Sequence, residues 1–417
     1  MRFRIVVVLL AAGLVLVGFG APPAAGVIRG GQGGLDVRSV PSPAAPASGE
    51  AQLTVSSRGV LMSWIEREGP RASLKFAERT ATGWTPTRTV ASGNDRFVNW
   101  ADVPSVLRLS DGTLAAHWLQ KSGPGTYAYD VRLSYSTDDG RTWAASFLPH
   151  HDGVRAEHGF ASLFELEQGL GLVWLDGRET AGADAEGAMT LRFAAFDRGW
   201  TQIADEAIDR RVCDCCPTTA AVTADGVITA FRDRSQDEIR DIAVSRFDAG
   251  RWTAPAAVHD DGWRINACPV NGPAVAARGR EVALAWFSGR EAPGHAFVAF
   301  SHDAGRTFGA PVRVDEQGSQ GRVDVDLLDD GSVLVSWIEY ADRRADFRVR
   351  RVAASGDPGP VTVIAPLTAT RASGYPRLAR HGDELVLAWT DVGDRAAGAG
   401  PEALRVVTAV ASLPPSR

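Results

Sequence analysis

Short apolar runs alternate with polar residues along most of the chain and break at glycine-containing turns. The clearest case lies between Arg211 and Ser235. A small, apolar run ends at Val222, Asp225-Gly226 makes a turn, and Val227 to Phe231 returns. Asp-Gly between two such runs predicts a β-hairpin. Cys213, Asp214, Cys215 and Cys216 precede its first strand, and Arg232, Asp233 and Arg234 follow its second. A hairpin brings its ends together, so these groups should meet on one side of the fold. The pattern recurs, and each copy closes its second strand on an aromatic: Trp64, Trp118, Trp174, Phe231, Trp286, Trp337 and Trp389. Successive spacings are 54, 56, 57, 55, 51 and 52 residues.

A period of about 50 residues in short strands predicts a propeller, one supersecondary unit per repeat. Each copy continues into a second hairpin, as in Val131 to Ser136 and then Trp143 to Leu148. Four strands per repeat is what a blade requires. The prediction is all-β: a seven-bladed β-propeller of four-stranded antiparallel blades over residues 50–413, with six blades as the alternative count. Aromatics in near-constant register argue against a large sandwich.

Length and charge change this picture little. The 417 residues would suit two or three average domains, but a single β architecture can be this large. A net charge of −6 without any basic tract gives no reason to expect nucleic acid. The N-terminus matters more. Met1-Arg-Phe-Arg4, the apolar run Ile5 to Phe19 and the small residues Ala21, Ala24 and Ala25 have the layout of a secretory signal over residues 1–25. The run is short of the roughly 20 residues of a membrane span, and no other stretch would cross a bilayer. The expectation is an exported protein, periplasmic or extracellular, with no membrane span once the signal is removed. Residues 26–49 read as a Gly/Pro/Ala/Ser-rich linker. Within it, residues 35–40 would supply a closing strand that the last repeat lacks. Nothing in the sequence fixes an oligomeric state.

Two turns share the form Ser-x-Asp-x-Gly-x-Thr-aromatic: Ser136 to Trp143 and Ser301 to Phe308. Ser and Asp side chains can bond turn amides, and Gly supplies a positive φ. These turns resemble the Asp box, or BNR repeat, of the sialidase superfamily, and the repeat pattern extends that resemblance over the whole mature chain. Turns in an up-and-down sheet alternate between faces. The Asp-box turns therefore share one face, and the loops between repeats share the other with the Cys213 cluster and most of the unusual polar residues.

The resemblance implies a site for an anionic sugar, with arginines against a carboxylate and a Tyr–Glu nucleophile pair. The stretch Asp102-Val-Pro-Ser resembles the family's Arg-Ile-Pro motif but places Asp102 where the first arginine stands. Cys216-Pro-Thr-Thr, followed by Arg232 or Arg234, resembles a Glu-Pro segment with Cys216 in place of the glutamate. Gly374-Tyr-Pro-Arg377 resembles the nucleophilic segment and makes Tyr375 the candidate nucleophile. Arg290 and Arg322 would supply the remaining arginine. An Asp facing a carboxylate repels it, and a Cys cannot replace a Glu, so the conventional catalytic set is incomplete.

Cys213, Cys215, Cys216 and Cys268 complete the list of candidates. Cys216-Pro217 and Cys268-Pro269 fall at corresponding places in adjacent repeats, which would gather the cysteines at the channel rim. In an exported protein, disulfides are one reading. The other is a thiolate site for copper(I) or zinc, with His158 able to add an imidazole, or a redox-active pair. The leading expectation is recognition of an anionic glycan or small-molecule ligand at the central face, with hydrolysis if the catalytic set were complete. The alternative is a soft-metal binding or redox protein of the cell envelope.

Overall fold

In the computed structural model all seven marker aromatics sit in the second strand of their sheets, and all are buried. The structure describes residues 27–29, 34–182, 187–393 and 403–413; the expected signal segment, residues 1–25, lies outside the described residues. Seven antiparallel sheets form a ring, so the count is seven and not six. From the centre outward, blade 1 begins Ser48–Val55 and Val60–Glu68, and blade 2 Ser105–Arg108 and Leu114–Lys121. Blade 3 begins His158–Leu166 and Gly169–Asp176, and blade 4 Thr219–Thr223 and Gly226–Arg232. Blade 5 begins Ala274–Arg278 and Glu281–Ser288, blade 6 Ser319–Leu327 and Val333–Ala341, and blade 7 Arg377–His381 and Glu384–Asp391.

Burial explains the ring. Each sheet carries apolar residues on both faces, and the core is divided into clusters, one between each pair of neighbouring blades. Each marker aromatic points at the preceding blade. Trp64 packs with Val386 and Ala388 of blade 7, Trp174 with Val131 and Leu133 of blade 2, and Phe231 with Leu191 and Phe193 of blade 3. Seven sheets stacked in this way leave no face uncovered once the last meets the first.

The join is made by the N-terminal segment. Asp36–Val40 pairs antiparallel with Arg405–Ser412, the third strand of blade 7, and buries Val37 against blade 6 residues. Residues 41–47 lead directly into blade 1, where Ala44 is buried with Trp64. The outer strand of blade 2 is reduced: Phe147 pairs with Leu133 through an isolated bridge.

The two Ser-x-Asp turns fold alike. In each, the Ser136 or Ser301 hydroxyl accepts the amide of Gly140 or Gly305 at 2.9 Å, and Asp138 or Asp303 accepts the amide of Thr142 or Thr307 at 2.9 Å. Both glycines have positive φ, 76° and 78°. A Cβ would lie 2.4 Å from Phe76 at Gly140 and 2.3 Å from Ile228 at Gly305, in each case a side chain of the preceding blade. The turns thus wedge between blades. Gly305→Ala combines a strained φ with overpacking, and should destabilise the protein by about 1–3 kcal/mol in a denaturant titration monitored by tryptophan fluorescence.

Candidate functional site

Inner strands surround a central channel of about 550 Å³, lined by small and polar side chains such as Thr54, Ser105, Ser162 and Thr219, with Asp326 and Arg377. On the face of the inter-blade loops the channel meets a plug. Tyr375, just before blade 7, donates its hydroxyl to the Val270 carbonyl at 2.7 Å, in the loop between blades 4 and 5. It packs with Phe160, Trp100 and Cys215, and its ring stacks on Trp100 at 6.0 Å. Only 6% of Tyr375 is exposed, and burial pushes its hydroxyl up to about 12. Its hydroxyl proton is committed to that carbonyl and not to a carboxylate, so this geometry gives a Tyr375 nucleophile no base.

The arginines are held separately. Arg232 is 1% exposed, and its nitrogens donate to the backbone carbonyls of Asn271, Arg240 and Phe287 at 2.8, 2.5 and 2.7 Å. Its guanidinium also lies 4.8 Å over Trp263, and burial lowers its pKa to about 10. It braces blade 4 to blade 5. Arg322, at φ 53° in a bulge of blade 6, donates to Thr370 and Gly374 carbonyls and lies 4.6 Å over Trp100. Arg290 is exposed and donates to the Asp261 carbonyl at 2.7 Å. Arg234 bridges Asp214 at 3.0 Å and Glu238 at 2.8 Å. The structure does not bring these four into one carboxylate clamp: Arg232 and Arg322 meet only through Asn271, whose side chain accepts the Arg322 amide.

The cysteines do come together. Cys213 and Cys216 form a disulfide, and Cys215 lies 4.0 Å from Cys213. Cys215 donates to Cys268, which is exposed in the loop from the next blade. That hydrogen bond favours the Cys268 thiolate and lowers its pKa to about 7, while Cys215 is pushed up. Arg240, nearly buried, reaches Cys213 at 3.5 Å and Glu238 at 2.9 Å.

Sequence reading named Asp102 but missed its partners Tyr129 and Glu157. Asp102 is 1% exposed. It accepts the amide of Phe160, a residue at φ 53° in a blade 3 bulge, at 2.7 Å, and the Tyr129 hydroxyl lies 3.3 Å away. Tyr129 donates to Glu157 at 2.7 Å. A Cβ at Gly159 would sit 2.1 Å from the Asp102 carboxyl, so this close approach requires glycine. Desolvation raises Asp102 to about 8 and Glu157 to about 7. At neutral pH Asp102 carries a proton and Tyr129 links it to Glu157. Glu157 in turn is near enough to Asp214 and Cys268 for their charges to act on one another.

No protein-family model matches the chain, and no curated protein matches it. Solved structures do. The polysaccharide lyase Uly1 matches at 12% identity and a TM-score of 0.52, over 88% of this chain and 90% of the lyase. A protein of unknown function from Dyadobacter fermentans DSM 18053 matches at 15% identity and a TM-score of 0.48, over 88% and 95%. A mutant of NanB sialidase from Streptococcus pneumoniae matches at 9% identity and a TM-score of 0.46, over 88% and 93%. Likeness this remote bears on fold alone, and that fold is the seven-bladed all-β propeller described above. Among the described residues, no helix is long and apolar enough to cross a membrane.

The two perturbed groups give measurable consequences. Between about pH 4 and pH 8 folded Asp102 holds a proton that the unfolded chain has released, so stability falls as pH rises through that window. Asp102→Asn keeps an acceptor for Phe160 and removes the titration. Its melting temperature should drop less than the wild type's between pH 6 and pH 9, by several degrees. Alkylation of Cys268 by iodoacetamide should rise with a midpoint near pH 7, and Cys215→Ala should move that midpoint up toward 9.

Proposed function

We propose that this propeller binds an anionic saccharide over the plugged mouth of its channel, at the loops of blades 2, 3 and 4. The observation that carries the reading is Glu157, a half-buried carboxyl raised to about 7 and tied through Tyr129 to a second protonated acid. A carboxyl of that pKa can donate a hydrogen bond to a sugar oxygen or carboxylate near neutral pH. Arg234 adjoins it on the Asp214 side, and Trp100 offers a partly exposed ring of the kind that sugars pack against. The fold supports the same substrate class, since Uly1 is by name a polysaccharide lyase. Binding is favoured over hydrolysis because Tyr375 is hydrogen-bonded to a carbonyl and lacks a base. Export, implied by the N-terminal segment, would bring the protein to such ligands.

Calorimetric titration with 3′-sialyllactose and with a glucuronate-containing oligosaccharide tests this. At least one should bind saturably without being cleaved. Glu157→Gln should still donate but lose its charge switch, so its affinity should no longer fall between pH 6 and pH 8. Arg234→Ala should weaken binding about tenfold, the equivalent of about 1.4 kcal/mol. No heat with either sugar defeats the proposal.

A second reading rests on the sulfurs. With Cys213 and Cys216 reduced, the three sulfurs of this segment lie within 4.8 Å of one another and Cys268 adjoins them. Such a set suits copper(I) or zinc. Two free thiols in unreduced, denatured protein would match the disulfide seen here; four thiols with bound metal would favour the second reading.

A further inference from the structure

Away from the cysteines, a second cluster is sealed between blades 2 and 3. Asp130 comes from the third strand of blade 2, His150 from the loop that leaves that blade, and His158 from the first residue of blade 3. His158 is fully buried and His150 is 3% exposed. Their rings stack at 3.9 Å.

Hydrogen bonding fixes how each ring is used. The Nδ1–H of His150 points at Asp152 at 2.7 Å, which leaves Nε2 as a lone pair. His158 has carboxylates at both nitrogens: Asp130 lies 3.2 Å from Nδ1, and Asp152 and Asp176 lie 3.5 and 3.7 Å from Nε2. His150 Nε2 faces the same Asp130 Oδ1 that lies against His158 Nδ1, at 3.8 Å. None of these three atoms has a hydrogen-bond partner, although all are buried. Atoms that converge in this way need a proton on His158 or a cation between them.

The outer carboxylates are already satisfied. Asp176 accepts both Arg178 and the Trp174 indole, and Asp152 accepts Arg178 and the Val154 amide. Asp130, Asp152 and Asp176 still outnumber the one guanidinium by two negative charges when both imidazoles are neutral. A divalent ion would balance them.

We infer that Asp130, His150 and His158 form a buried site for a divalent transition metal, with zinc the best match, which staples blade 2 to blade 3. Donor atoms around tetrahedral zinc, with bonds of about 2.0–2.1 Å, lie about 3.4 Å apart. The observed separations bracket that value. A nitrogen and carboxylate donor set suits zinc. Carboxylates behind the far nitrogens are the outer support that metal-bound histidines use. The two rings must splay from their stack, with His158 Nδ1 deprotonated, for both nitrogens to meet one ion beside Asp130, and a water would fill the fourth position.

The test uses the full-length mature protein. Purified protein is stripped with EDTA, loaded with zinc chloride, desalted and assayed by plasma mass spectrometry. We expect one tightly held equivalent and a melting temperature several degrees above that of the stripped protein. The same equivalent should persist in Cys215→Ser/Cys268→Ser, which separates it from the thiols, and should be lost in Asp130→Asn and in His150→Ala. Absence of any bound zinc and of any thermal shift in the wild type would overturn the inference, whether or not the variants fold. So would an equivalent that leaves with the cysteines and stays in Asp130→Asn.

Discussion

A buried indole must place its N–H, and this fold is organised around that need. Trp64, Trp118, Trp174 and Trp337 each donate to the side chain two residues on: Glu66, Gln120, Asp176 and Glu339. In a strand, residues two apart share a face, so the acceptor lies directly beyond the ring, at the strand's end. Tryptophan therefore does two things. Its ring fills the gap to the preceding blade, and its N–H anchors a polar group where the chain leaves the sheet.

Those anchored groups shape the loops of the same face. Glu66 accepts the Ala45 amide, Gln120 accepts Arg96, Asp176 holds Arg178, and Glu339 accepts the amides of Gln317 and Gly318. In these four blades core packing and loop position are thus coupled through one side chain, and in blade 5 the Trp286 indole donates instead to Asp261 in the preceding connection. Blade 4 departs from the rule. Phe231 has no N–H to satisfy, and Asp233, two residues on, is not tied to it; burial raises Asp233 to about 6. The next residue to Phe231 is instead the sealed Arg232, and this is the blade that carries the thiol cluster.

The repeats were legible because aromatics in fixed register are a signal along the chain. So were the convergence of the cysteines and the pairing potential of residues 35–40, since both follow from lining up repeats. What was not legible depends on depth. Arg232 and Arg234 look equivalent in sequence, yet one is sealed by three carbonyls and the other bridges two carboxylates near the surface. The relay of Asp102, Tyr129 and Glu157 draws on two blades and the connection between them, so no local motif announces it. His158 reads only as a ligand to the thiols, because a register argument cannot show that it stands at the first position of a fully covered strand beside His150. A hint was available: Glu157-His158-Gly159 places an acid, a base and a residue without a side chain together where a blade begins.

Position also distinguishes binding from channel chemistry. Tyr375 reaches from the start of blade 7 to the loop between blades 4 and 5, so it closes the channel at this face and does not line an open cleft. A ligand held here must lie across the plug, against loops whose backbones are fixed by the indole-anchored acids. Such a surface is preorganised, which lowers the ordering cost of binding. It is also charged in both senses, with Arg234 and Arg240 interleaved among Asp214, Glu238 and Glu157. Because Glu157 sits near neutrality, these balanced charges turn net negative over the range in which Cys268 also ionises. Protonation therefore sets the charge the mouth presents: below about pH 7 it offers donors at balanced charge, and above that it carries two new negative charges.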